Sequence, residues 1–143
     1  MRKLLSRCFI LLALLGFAFH TQAEPVREAD AKAVRLVVQA QLNAFAADDA
    51  RRAFSYASPA IRAQFGTPEN FMAMVKSGYP MVHRPADITF FKPELIAGAL
   101  IQAVQFTDLD GAQWVATYRM QRQPNKSWRI NGCQVAQSTG LAA

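Results

Sequence analysis

The chain has 143 residues, with 16 Lys and Arg against 10 Asp and Glu, a net charge of +6 and two cysteines. That length suits one domain with a single core and excludes a two-domain reading. Beyond the N-terminus the basic residues are dispersed, Arg51-Arg52 being the longest run, so the clustered footprint of a nucleic-acid binder is missing and no nucleic-acid partner is expected.

Arg2, Lys3 and Arg7 flank the start of an apolar run from Cys8 to Phe19, and Thr21-Gln22-Ala23 places small residues where a signal peptidase reads the chain. The pattern predicts a cleaved export signal over residues 1–23, a mature chain beginning at Glu24, and a periplasmic or secreted product. The run is about twelve residues, against the roughly twenty that cross a bilayer, so no stable membrane insertion is expected after cleavage. Cleavage would halve the net charge and remove Cys8 and His20, leaving Cys133 and His83 as the single cysteine and histidine. No intramolecular disulfide could then form, and Cys133 reads as a small buried apolar group. One His and one Cys fall short of the three or four protein ligands that zinc sites use. No metal and no other cofactor is expected.

From about Glu28 to Ala47, Val34, Val37, Val38, Leu42 and Phe45 recur at three- and four-residue steps, with Lys32, Arg35, Gln39 and Asn43 opposite. This predicts a long amphipathic helix with one buried face. Asp48-Asp49 can end it and cap a second, short helix carrying Phe54 and Tyr56. Ser58-Pro59 and Thr67-Pro68-Glu69 each combine an N-cap with a proline at the first helical position, predicting helices that bury Ile61 and Phe65, then Phe71, Met74 and Val75, with Gly78 as the stop. Tyr79 to Pro85 holds two prolines in seven residues and is expected to be extended.

From Ile88 the period changes to two. Ile88 to Phe91 predicts a short strand, and Leu100, Gln102, Val104 and Phe106 share one face of a longer one. Asp108-Leu109-Asp110-Gly111 predicts a hairpin turn. Trp114, Ala116, Tyr118 and Met120 then share a face, Pro124 to Ser127 turns the chain, and Trp128, Ile130 and Gly132 are expected on one face of the last strand.

Helices followed by antiparallel strands predict an α+β domain over residues 24–143, in which a long N-terminal helix and short companions pack on one face of a curved sheet. The order of long helix, Asp-containing turn, short helices and strands ending in Trp128-Arg129-Ile130 resembles the cone-shaped fold of nuclear transport factor 2 and ketosteroid isomerase. Gln41-Leu42, Ala44-Phe45, Asp48-Asp49-Ala50, Ser58-Pro59, Phe65-Gly66-Thr67-Pro68-Glu69 and Gly78-Tyr79-Pro80 resemble, more specifically, the bacterial domain of unknown function 4864. Asp110-Gly111, Trp114, Ala116, Tyr118 and Gly132-Cys133 extend that likeness over nearly all of residues 24–143. The cone implies a cavity between helices and sheet. The bacterial family implies no activity and no site residues.

A cavity of that kind is a setting for a small-molecule site. Isomerase chemistry in such a cone uses an aspartate base with a tyrosine and a protonated carboxyl. Here Asp48 and Asp49 read as caps, Asp87 precedes a strand, and Asp108 and Asp110 lie in a hairpin turn, so no catalytic residue is assigned. A Cys133 and His83 pair would be a minimal nucleophile and base, but no pattern in the sequence brings them together. The candidate ligand-binding residues are Tyr56, Met74, Tyr79, His83, Trp114 and Tyr118, which offer aromatic faces, an adaptable thioether and one titratable nitrogen. The expected function is non-catalytic binding of a small apolar or aromatic molecule. An isomerase-like or hydrolytic enzyme is the alternative marked by a carboxylate or histidine in the cavity, and a homodimerising structural module is the one marked by an apolar outer sheet face.

Overall fold

In the computed structural model, residues 25–139 are described; the export signal expected over residues 1–23 lies outside them. Helix α1 (Glu28–Ala46) spans 19 residues and buries Val34, Val38, Gln41, Leu42 and Phe45 along one stripe. It stops where Asp48 turns left-handed at φ 53°, a conformation that Asp tolerates better than most residues. The side chain of Asp49 then accepts from the Arg52 backbone N–H and caps α2 (Ala50–Ser55). Ser58 and Thr67 do the same for α3 (Pro59–Phe65) and α4 (Pro68–Gly78), each with proline in the first turn. No described helix is long and apolar enough to cross a membrane.

The segment expected to be extended is instead a short helix, α5 (Pro80–His83). The restriction that proline imposes on its predecessor falls on Tyr79 (φ −136°, ψ 58°) and Arg84 (φ −145°, ψ 80°) alone. Pro80 itself occupies the first helical turn, where its missing N–H costs nothing. The two prolines therefore bracket a turn of helix.

Strands β1 (Asp87–Phe90), β2 (Glu94–Ile96), β3 (Ala99–Thr107), β4 (Gln113–Arg122) and β5 (Trp128–Gln137) form one antiparallel, unclosed sheet. β1 and β2 pair successively with the same edge of β3, and β4 and β5 follow on the other side. β2 was not foreseeable as a separate strand, because three residues after Pro93 carry no period. It turns into β3 through Ala97 and Gly98, both with positive φ, the requirement of a tight hairpin turn. At the handover from β1 to β2, the buried Gln102 amide donates to the carbonyls of Phe91 (2.7 Å) and Ala103 (2.9 Å). It fills the gap in the ladder that the strand break leaves.

Cross-strand partners share a face. Leu100 opposite Met120, Gln102 opposite Tyr118, Val104 opposite Ala116 and Phe106 opposite Trp114 put the alternating apolar set of β3 and β4 on one side, as their period predicts. The helices cover that side, and Val34, Val38, Phe45, Val104, Phe106 and Tyr118 are nearly or fully buried there. The other side carries Gln105, Thr107, Thr117, Arg119 and Gln121, with Ile101, Ala103 and Val115 among them.

Strand β5 departs from strict alternation. Its register with β4 runs Tyr118 to Cys133, Arg119 to Gly132, then Met120 to Ile130, leaving Asn131 as an extra residue. This β-bulge shifts the side-chain phase by one. Gly132 therefore leaves the face on which sequence alternation puts it, and Cys133 and Val135 join Ile130 and Trp128 on the helix-covered side. The bulge is anchored by the fully buried Ser58, whose hydroxyl donates to Asn131 Oδ1 (2.7 Å) and whose backbone N–H donates to the Ile130 carbonyl (2.8 Å).

Candidate functional site

Helices and sheet do not meet everywhere. Between them lies a partly open cavity of about 290 Å³. From the sheet, Tyr118, Ile130, Cys133 and Val135 form its floor. From the helices, Gln41 and Phe45 of α1, Phe65 of α3, and Phe71, Met74 and Val75 of α4 form its roof. Tyr79 and Val82 close one side. Three tilted aromatic contacts brace the roof: Phe71 stands 5.7 Å from Phe45, 5.5 Å from Phe54 and 5.4 Å from Phe65, centroid to centroid. Among the described residues that line the cavity, none is charged.

Its polar groups are few. Gln41 is buried and donates from Nε2 to the Ala53 carbonyl (3.2 Å), which joins α1 to α2. Tyr118 is 1% exposed, and its hydroxyl has no hydrogen-bond partner. Burial and then the neighbouring Cys133 hold that phenol well above its ordinary pKa. Cys133, across the strands from Tyr118, perturbs it without meeting hydrogen-bonding geometry.

Cys133 was expected to be a buried apolar filler; it is exposed. The bulge turns it to the helix-covered side, and the surface it shows is cavity wall. Protein crowds the sulfur on its other sides, and this desolvation pushes the thiol up to about 12, the opposing influence of Tyr118 being smaller. A thiol so shifted is a neutral donor and a poor nucleophile at neutral pH. Native protein should therefore alkylate with iodoacetamide at pH 7 about 100-fold or more slowly than unfolded chain. Equal rates would show that the sulfur is freely solvated.

The candidates named from sequence divide evenly. Met74, Tyr79 and Tyr118 line the cavity. Tyr56 faces Arg52, whose Nε donates to its hydroxyl (3.4 Å). Trp114 donates from Nε1 to Asp108 Oδ2 (2.9 Å) in the hairpin turn, and this bond is the main reason the Asp108 carboxyl titrates low. His83 points away to Asp48, with Nε2 2.7 Å from Oδ1. It is neither in the cavity lining nor close to Cys133 in any hydrogen bond. Sequence reasoning missed Gln41 and Phe45 as lining residues. Gln41 did leave a signal, an amide inside the apolar stripe of α1, whereas the bulge that delivers Cys133 left none.

Asp48 collects a surface cluster. Lys76 Nζ lies 3.1 Å and His83 Nε2 2.7 Å from Oδ1, and Arg84 donates to Oδ2 at 2.8 Å. The cluster ties α4 and α5 to the turn after α1. The His83 contact first, and then the Lys76 contact, lower the Asp48 pKa to about 2 from an ordinary 3.8. A depressed folded-state pKa contributes stability that is fully present above the unfolded value and is lost as pH falls through the folded one. Stability should fall between pH 3.8 and about 2, and Asp48→Asn, which keeps the left-handed turn, should flatten that part of the profile in urea titrations. An unchanged profile would show that the cluster contributes nothing. Among the described residues, no group of three or more His, Cys, Asp or Glu is placed to hold a metal ion.

A family model described as "Domain of unknown function (DUF4864)" matches residues 27–143. No curated protein and no solved structure matches the chain.

Proposed function

The chain belongs to the DUF4864 family, which brings no chemistry to transfer, and we infer its function from the cavity: non-catalytic binding of a small, neutral, mainly apolar or aromatic molecule. One observation carries this reading. The cavity between α1, α3, α4 and the sheet is walled by aromatic and aliphatic side chains, with no charged group in its lining. Taking an ion out of water into such a site without a partner is costly, whereas burying apolar surface is favourable. At about 290 Å³, the space sits at the lower end for ligand pockets and suits a molecule of one or two rings.

The enzymatic alternative asks for a carboxylate or histidine in this space, and the dimerisation alternative for an apolar outer sheet face. The lining supplies neither carboxylate nor histidine, and on the outer face Ile101, Ala103 and Val115 are interspersed with Gln105, Thr107, Thr117, Arg119 and Gln121, so both rank below binding. The helical layer over one face of the sheet and the cavity between them support a cone like that of nuclear transport factor 2 as the finer description of the fold. Export through residues 1–23 belongs to the same proposal. Intact mass of the protein recovered from the periplasm should begin at Glu24, and full-length chain in the membrane fraction would contradict it.

The test of binding is a thermal-shift series with matched probes. Indole should raise the melting temperature by mass action, and indole-3-acetate, its charged counterpart, should not. Ile61 of α3 also lines the cavity, and Ile61→Trp, which fills it, should abolish the shift. Equal shifts by the charged and neutral probes, or an undiminished shift in Ile61→Trp, would overturn this reading.

A further inference from the structure

The polar corner of the cavity narrows the ligand class beyond neutral and apolar. A buried hydroxyl without a partner is costly, and native proteins leave few of them. Tyr118 is such a group, 1% exposed and unpartnered, on a residue that lines the cavity floor. Its cross-strand neighbour Cys133 is the other polar group of the floor, and the bulge at Asn131 is what brings that thiol to the same side. Two protonated donors on the floor, with no carboxylate in the lining and the amides of Gln41 and Gln64 on the helical side, match a ligand atom that accepts without donating at that wall. A carbonyl oxygen has two lone pairs and no proton.

We propose that the ligand carries a carbonyl group whose oxygen accepts a hydrogen bond from the Tyr118 hydroxyl, with Cys133 as the movable cover over that hydroxyl. The Tyr118 oxygen has less than 1 Å² of accessible surface, so the oxygen of a ligand reaches it once the neighbouring side chain turns. Cys133 stands directly opposite on β5 and shows its own surface to the cavity, and one rotation about χ1 moves its sulfur between staggered positions. The high titration points of both groups keep them protonated, as donors, throughout the physiological range. The ring of Tyr118 and the aromatic roof hold the apolar body of the same molecule.

This inference rests on the cavity reading above, and its test separates the two. The probes are 1-indanone and indane, which share a bicyclic frame and differ at one position, with 1-indanol as a third arm. Wild-type protein should bind the ketone about tenfold more tightly than the hydrocarbon, the worth of one hydrogen bond to an otherwise unpaired donor, and more tightly than the alcohol. Tyr118→Phe should erase the preference by weakening the ketone while leaving indane unchanged. Its unfolding midpoint should not fall, since the hydroxyl has no partner to lose. Cys133→Ala uncovers the hydroxyl and should keep the preference. Equal binding of ketone and indane by wild type, alcohol binding equal to ketone binding, or a preference that survives in Tyr118→Phe or disappears in Cys133→Ala would overturn the carbonyl assignment alone. Failure of all three probes to bind would overturn the cavity reading and this inference with it.

Discussion

Replacing Phe71 by alanine should cost about 3–5 kcal/mol of unfolding free energy, as large aromatic truncations in cores do. Phe71 is 6% exposed and is the ring that Phe45, Phe54 and Phe65 all contact, at 5.4 to 5.7 Å. Those partners sit on α1, α2 and α3, so the one side chain of α4 holds the helical roof together. Its loss leaves a void continuous with the cavity between helices and sheet, which the roof cannot refill without moving three helices. With domains stable by about 5–15 kcal/mol, the variant should unfold at a far lower urea concentration. It should also bind a neutral aromatic probe more weakly, because the roof loses its shape. A change below about 1 kcal/mol would show that the roof is loosely packed and that the aromatic contacts are incidental.

Deleting Asn131 should cost about 1–3 kcal/mol, because the fully buried Ser58 hydroxyl loses its acceptor. The ladder itself closes without a change of face. Met120 already pairs with Ile130, Arg119 with Gly132 and Tyr118 with Cys133, so removing the unpaired residue leaves these pairs as they stand. Cys133 should therefore stay in the crowding that pushes its thiol up to about 12, and its alkylation at pH 7 should remain slow. Asn131→Ala removes the same Ser58 contact while keeping the extra residue, and should cost a similar amount. Fast labelling of Cys133 in the deletion variant would contradict the register assigned to the bulge.

Both cases show where sequence period does and does not report structure. The caps were legible because their chemistry is local: Asp49, Ser58 and Thr67 each bond an N–H three residues on. The faces of β3 and β4 were legible because apolar and polar residues alternate through them without interruption. The bulge was not, since Ile130, Gly132, Cys133 and Val135 are all tolerable on a covered face and nothing in their order marks Asn131 as extra. The helix at Pro80 was misjudged by applying the constraint on residues preceding proline to the whole segment, when it falls on Tyr79 and Arg84. In the site, Met74 and Tyr118 were legible from the core phases of their elements. His83 and Trp114 were not separable from them by residue type, because the carboxylates that claim their nitrogens, Asp48 and Asp108, act through tertiary and turn geometry.

The central claim is that a small neutral molecule occupies the space between the helices and the sheet. The most direct measurement is methyl NMR on protein carrying carbon-13 at its methionine methyls, titrated with indole. Met74 lines the cavity, whereas Met120 is buried in the core outside its lining. The Met74 methyl should shift strongly under the aromatic ring current and saturate with the same affinity as the thermal stabilisation, while Met120 moves little. Saturating stabilisation with an unmoved Met74 methyl would place the ligand elsewhere and contradict the account.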